Sequence, residues 1–88
     1  MLWEGTGSGN QTTEKFTTQG SDWDMEWSYD CTAKGDQWNF IIWVNGPGYN
    51  QGVNELGMQG SGVQHYHNGG TFFLEISASC TWHVKVTG

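Results

Sequence analysis

The sequence contains no arginine and only three lysines, against nine acidic residues, which gives the 88-residue chain a formal net charge of -6. Binding to nucleic acid or to an anionic membrane surface depends on clustered basic side chains, so neither partner is expected. No apolar run approaches the roughly 20 residues that a membrane-spanning helix requires. No segment shows helical spacing of apolar residues over three turns either, and membrane insertion and an α-helical fold are both unexpected.

Catalytic motifs are also missing. The sequence has no Gly-x-Ser-x-Gly motif of the kind that presents a nucleophilic serine. Paired carboxylates could serve glycoside hydrolysis, but a domain this small has little room for a cleft that would desolvate a substrate. The sequence therefore predicts a protein that is not an enzyme.

Large rings and glycines dominate what is present. Aromatic residues make up 15% of a chain that is only 35% hydrophobic, so a few large side chains must form the core. Fourteen glycines suit many tight turns, and the chain length leaves room for one core only. We expect residues 1–12, rich in glycine and polar residues, to form a flexible linker and residues 13–88 to form a single domain.

Two-residue alternation is the strongest structural signal. In residues 23–31, tryptophan, methionine, tyrosine and cysteine occupy every odd position, while aspartate, glutamate and serine occupy every even position. This period predicts a strand with one wet face. Further strands are predicted over residues 14–18, 37–45, 53–58, 63–67, 71–77 and 80–87. About seven short strands favour an all-β, two-layer antiparallel sandwich or a barrel.

Local turn chemistry predicts how some of these strands are joined. Residues 59–62 are predicted to form a turn, and residues 68–70 to close a hairpin into the strand at 71–77.

Val53 and Leu56 are expected in the core. Ile41 and Trp43 are expected to face outward, where they are either covered by a neighbouring segment or form part of a recognition surface.

Two cysteines, Cys31 and Cys80, each border a strand-like run. This position suits a disulfide that ties the two runs together, and the alternative is a pair of unlinked buried thiols. Disulfides belong to oxidising compartments and to small cores that need support. A bridge would therefore favour a secreted or cell-surface location.

Three segments together carry a resemblance to a known class of domain. They are Trp27-Ser28-Tyr29-Asp30-Cys31, the Gly60-Ser61-Gly62 turn, and residues 69–76 running into Cys80-Thr81-Trp82-His83-Val84. Over residues 12–87 the chain resembles small CUB-like, jelly-roll β-sandwich domains of secreted proteins and lipoproteins of Gram-positive bacteria. The resemblance implies a jelly-roll fold, a Cys31–Cys80 disulfide and a non-catalytic accessory or recognition role. Eukaryotic CUB domains commonly have four cysteines and an acidic calcium triad, which this chain lacks, so calcium-dependent binding is not implied.

Metal binding is a weaker hypothesis. His65 and His67 lie two residues apart on one face of a predicted strand, which provides two zinc or nickel ligands if His83 or a carboxylate completes the site. Exposed strand histidines are the simpler interpretation. Carboxylates can bind calcium, and four of them lie just before or along the strand at 23–31: Asp22, Asp24, Glu26 and Asp30. No twelve-residue calcium-binding loop is present, however. The sequence requires no cofactor, and calcium and zinc stay as alternatives.

Aromatic recognition is the most useful positive hypothesis. Four rings are predicted at outward or loop positions, where they could contact sugars or a protein: Trp43, Tyr49, Tyr66 and Phe73. The predicted function is a non-catalytic, extracytoplasmic recognition module, monomeric or weakly dimeric, that binds an extracellular protein or another cell-surface ligand. The alternatives are a carbohydrate-binding module and a structural spacer or sensor domain of a larger envelope protein.

Overall fold

The computed structural model describes residues 2–48 and 50–88. Within them the chain forms nine strands and one 3-10 turn at Thr32–Lys34. The strands are β1 (Trp3–Ser8), β2 (Gln11–Thr12), β3 (Phe16–Thr17), β4 (Trp23–Asp30), β5 (Trp38–Asn45), β6 (Val53–Gly57), β7 (Gln59–Tyr66), β8 (Thr71–Ala78) and β9 (Thr81–Thr87).

The strands form two antiparallel sheets that pack as a sandwich. Sheet A has the order β1-β9-β4-β7, and sheet B has the order β2-β8-β5-β6 with β3 also paired to β8. The predicted all-β sandwich is confirmed, with more strands than the seven expected. Strands from the two ends of the chain pair with each other in order: β1 pairs with β9, β2 with β8, β4 with β7, and β5 with β6. This is the strand order of a jelly roll.

A bulge divides the strand that enters sheet B. Thr12 pairs with Glu75 and Phe16 pairs with Phe72, so four steps along the entering strand match three steps along β8. Thr13 lies between the two paired pieces, and its hydroxyl accepts a hydrogen bond from the Leu74 N–H at 2.9 Å. The extra residue of a bulge interrupts the pairing of a strand with its neighbour, which is why one entering strand is present as β2 and β3.

Buried rings form the core between the sheets, as the sequence predicts. Trp23, near the start of β4, stacks on Tyr66 with ring centroids 4.3 Å apart, and Tyr29, near its end, stacks on Phe40 at 4.9 Å. The predicted inward side chains of the last two strands are buried as well. They are Phe72, Leu74 and Ile76 of β8 and Trp82, Val84 and Val86 of β9.

The predicted disulfide is present. Cys31 follows β4 and Cys80 precedes β9, and these strands are neighbours in sheet A. The two Cα atoms are 5.0 Å apart and both side chains are buried. The bond fixes one end of the sandwich, where β4 leaves sheet A and β9 enters it.

The prediction of a flexible linker over residues 1–12 is wrong for the described part of that segment. Residues 3–8 form β1, an edge strand paired along its whole length with β9. Glycine is suited to two positions of β1 because an aromatic ring occupies the space in which a larger side chain would lie. A Cβ on Gly5 would lie 2.7 Å from the Trp3 ring, and one on Gly7 would lie 2.8 Å from the Trp82 ring.

The prediction of a turn at residues 59–62 is also wrong, because these glycines too belong to a strand and lie beside aromatic rings. These residues begin β7 and pair with β4. Gly60 lies under the Tyr29 ring, and a Cβ on Gly62 would lie 2.7 Å from the Trp27 ring. Glycines at both edges of sheet A are therefore strand residues that make room for aromatic rings, and for Gly7, Gly60 and Gly62 these rings belong to the central strands β9 and β4.

Two further predictions need correction. Residues 68–70 do not close a hairpin, because β7 belongs to sheet A and β8 to sheet B, and the segment crosses between the sheets. Leu56 is 65% exposed although Val53 is buried. Residues three apart in a strand point to opposite faces, so β6 cannot bury both side chains in one core.

Candidate functional site

A half-exposed tryptophan lies at the centre of the outer face of sheet B. Trp43 belongs to β5, which has β8 on one side and β6 on the other. Its side chain is 51% exposed, whereas Ile41 and Phe73 beside it are half-buried. No segment of the described chain covers the ring. The outward position predicted for Trp43 is therefore confirmed.

Polar groups surround this ring. Glu75 is the partner of Trp43 across the β5–β8 ladder, and Asn45 Nδ2 donates a hydrogen bond to Glu75 Oε1 at 3.1 Å. The bond holds the carboxylate beside the ring and leaves its other oxygen open to an incoming donor. The pairing of Glu75 with Trp43 depends on a strand register that the sequence does not give.

The Trp43 ring separates two shallow hollows. The first, here called the β8 hollow, has a volume of about 300 Å³ and is lined by polar side chains that include Gln11, Thr12 and Ser77. The second, here called the β6 crevice, has a volume of about 360 Å³ and lies on the other side of the ring. Its polar lining consists of Gln51, Asn54, Glu55 and Gln64.

The interior wall of the β6 crevice includes an unpaired donor. Trp27 lines the crevice and is only 9% exposed, and its Nε1–H is buried without a hydrogen-bond acceptor. The buried indoles of Trp23 and Trp82 differ in this respect, because they donate to the carbonyl oxygens of Asn68 and Gly9. Buried donors are nearly always satisfied in folded proteins. Trp27 was predicted as a core residue, and nothing in the sequence pointed to its N–H.

The other predicted recognition rings are not all at the surface. Tyr66 was predicted to face outward, and this is wrong: it is 6% exposed, and its hydroxyl donates a hydrogen bond to the Gln51 carbonyl at 2.7 Å. Burial raises the pKa of Tyr66 to about 12. In β7 it is paired with Trp23, so both rings share the inner face. Tyr49 lies outside the described residues.

The histidines lie on the outer face of sheet A, each beside a carboxylate. His65 Nδ1 lies 2.7 Å from Asp24 Oδ1, and His83 Nε2 lies 2.7 Å from Glu4 Oε2. His67 is placed in the same way beside Asp22. Across residues 2–48 and 50–88, no three histidine, cysteine or acidic side chains are grouped so that they could hold one metal ion. The structure therefore does not bring His83 to His65 and His67.

The acidic residues proposed as calcium ligands are likewise separated. Asp22 and Asp24 face the histidines, and Asp30 accepts hydrogen bonds from both the Thr32 hydroxyl and the Thr32 N–H. The side-chain bond from Thr32, followed by the backbone bond, lowers the pKa of Asp30. This local turn gives Asp30 a structural role at the end of β4.

Sheet A also carries a larger hollow, of about 560 Å³, next to the disulfide. Small hydroxyl side chains form much of its floor, including those of Ser28 and Ser61, and His83 borders it. It contains no half-exposed ring of the kind found on sheet B. For these reasons we regard the outer face of sheet B as the better candidate site.

Comparisons of this chain with protein-family models, with curated proteins and with solved structures find no match. Among the described residues, no helix has the length and apolar character needed to cross a membrane.

Proposed function

We propose that this chain is a non-catalytic, extracytoplasmic recognition module that binds a cell-surface or extracellular ligand through the outer face of sheet B. The observation that carries the proposal is the half-exposed Trp43 ring between two open hollows. Tryptophan is among the residues that contribute most to binding energy. Because the ring projects from a central strand, little conformational freedom remains to be lost on binding. The disulfide is consistent with an oxidising compartment.

The experiment measures binding of the fluorescently labelled domain to intact bacterial, fungal and plant cells. We expect saturable binding to at least one of these surfaces, and we expect Trp43→Ala to weaken it by at least about tenfold. Trp38→Ala is the matched control, because Trp38 is also partly exposed but is the first residue of β5 and lies on the opposite face of the strand from Trp43. Circular dichroism and thermal unfolding establish that both variants are folded.

Equal binding by the wild type and Trp43→Ala would rule out this face as the recognition surface. Absence of saturable binding to every cell type would favour the alternative function, a structural spacer within a larger envelope protein. The two outcomes are separate, because the first needs a binding signal and the second needs its absence.

A further inference from the structure

The groups around Trp43 restrict the chemistry of a ligand. The polar lining of the β8 hollow and the β6 crevice consists of hydroxyl, amide and carboxylate groups, and none of the described lining residues is basic. Glu75 lies in one hollow and Glu55 in the other, within a chain of net charge -6. An anionic ligand would be repelled at both positions. A neutral ligand with many hydroxyl groups fits this lining.

The centre of the face adds a second requirement, an apolar surface that can lie flat on an indole. A sugar ring has this combination, because its C–H groups can cover one face while its hydroxyl groups point outward around the edge. Those hydroxyls can donate to the free oxygen of Glu75, which the Asn45 amide holds in place, and hydrogen bonds to an ionised carboxylate are stronger than neutral ones. A protein interface of standard size covers about 800 Å² on each partner, and among the described residues the strongly exposed apolar side chains of this face are limited to Trp43 and Leu56.

We propose that the outer face of sheet B binds an extended, neutral polysaccharide, with one sugar ring stacked on Trp43 and the units on either side in the β8 hollow and the β6 crevice. This inference rests on the recognition function proposed above and names its ligand class. The four strands from β2 to β6 make a face about 14 Å wide at about 4.8 Å per strand. A ligand that fills both hollows must therefore be a chain of sugars and not a single sugar.

The unpaired donor of Trp27 supports an oxygen-rich ligand in the β6 crevice. Leaving a buried N–H without an acceptor destabilises a folded protein, and the crevice that Trp27 lines opens beside Trp43. Because the Nε1–H is itself buried, a sugar hydroxyl accepts this hydrogen bond only if the crevice wall shifts on binding. The Gln64 side chain, which lines the same crevice, donates to the Gly52 carbonyl and so helps to hold the adjacent backbone.

The first test is direct binding to insoluble and soluble polysaccharides. The panel contains neutral glucan, xylan, mannan and chitin, with alginate and polygalacturonate as anionic counterparts. We expect saturable binding to at least one neutral polymer, no binding to either anionic one, and at least about tenfold weaker binding by Trp43→Ala. Trp43→Tyr, which keeps a ring, should retain binding, whereas Glu75→Gln, which replaces the ionised carboxylate with a neutral amide, should weaken it. Binding to no neutral polymer overturns the inference, as does tighter binding to an anionic one.

The second test follows the indole N–H signals in ¹H–¹⁵N spectra while an oligosaccharide of the bound polymer is added. We expect the Trp43 and Trp27 signals to shift, while those of Trp23 and Trp82, which already have carbonyl acceptors, stay in place. Shifts of Trp43 with an unmoved Trp27 would remove the β6 crevice from the site. Shifts confined to other indoles would place the sugar elsewhere.

The cell-binding assay separates failure of this inference from failure of the proposed function. Cells are treated with periodate, which cleaves vicinal diols of sugars, or with protease, before the labelled domain is added. Loss of Trp43-dependent binding after periodate alone supports the polysaccharide. Loss after protease alone leaves the recognition function intact and replaces the polysaccharide with a protein partner.

Discussion

The disulfide between Cys31 and Cys80 joins the end of β4 to the start of β9, and its removal is expected to destabilise the domain substantially. The two cysteines are 49 residues apart in sequence. In the chain-entropy model, a cross-link that closes a loop of this length restricts the unfolded state by about 4 kcal/mol. Domains of this size unfold with a total of roughly 4–13 kcal/mol, at about 0.05–0.15 kcal/mol per residue. The bond therefore supplies a third or more of the expected stability.

The assay is urea unfolding followed by tryptophan fluorescence. It compares the oxidised protein, the reduced protein and the double variant Cys31→Ala/Cys80→Ala. With a urea dependence of about 1–2 kcal/mol per molar, the loss lowers the unfolding midpoint by about 2–4 M. The reduced protein and the double variant should agree, since both remove the same constraint. A reduced protein whose free energy of unfolding stays within about 1 kcal/mol of the oxidised value would refute the reasoning.

Three further predictions concern single side chains. Gly62→Ala should cost about 1–3 kcal/mol because its Cβ meets the Trp27 ring, whereas Gly20→Ala, with open space around it, should be neutral or stabilising; equal effects would contradict this. Thr13→Val should cost about 1–3 kcal/mol in urea unfolding, because a buried N–H of β8 loses its acceptor; an unchanged midpoint would contradict this. The pKa of Tyr66 is raised in the folded state, so its contribution is present below pH 10 and is lost as the pH rises through about 12. Tyr66→Phe should therefore flatten the pH dependence of unfolding in that range, and an unaltered dependence would contradict this.

Alternation along the chain is enough to predict β4, β5, β8 and β9 but not their partners. The odd and even positions of residues 23–31 differ so clearly that β4 and its buried face follow from sequence alone. The same pattern says nothing about which sheet a strand joins, because period two is a property of one strand. The sequence therefore predicts a hairpin at residues 68–70, although this segment connects the two sheets.

The two wrong predictions at glycine-rich segments have a related cause. In sequence, the glycines of residues 5–9 and 60–62 signal a linker and a turn, since glycine is the residue that tolerates unusual backbone angles. In the structure, Gly7 and Gly62 are strand residues. Glycine is required at both positions because the rings of Trp82 and Trp27 occupy the space where a side chain would be. Trp82 is 75 positions from Gly7, so no local pattern contains that information.

The candidate site was predictable in part. The outward position of Trp43 follows from its parity with Ile41 in a strand whose other face is apolar. The carboxylate beside it and the unpaired N–H of Trp27 depend on how β8 and β6 align with β5 and how the sheets meet. Tyr66 was misplaced because the alternation at residues 63–67 does not say which set of side chains faces inward.

The position of β9 has a consequence for how the protein is made. This strand is the last of the nine described strands, yet it lies in the interior of sheet A between β1 and β4. Because the ribosome synthesises the chain from its amino end, β1 and β4 emerge first, and neither has its shared neighbour until β9 emerges. Cys31 must likewise wait for Cys80 before it can be oxidised correctly. Until β9 has emerged, the nascent domain therefore exposes aromatic side chains to water and keeps the Cys31 thiol unpaired, so sheet A is completed only once its last strand is available.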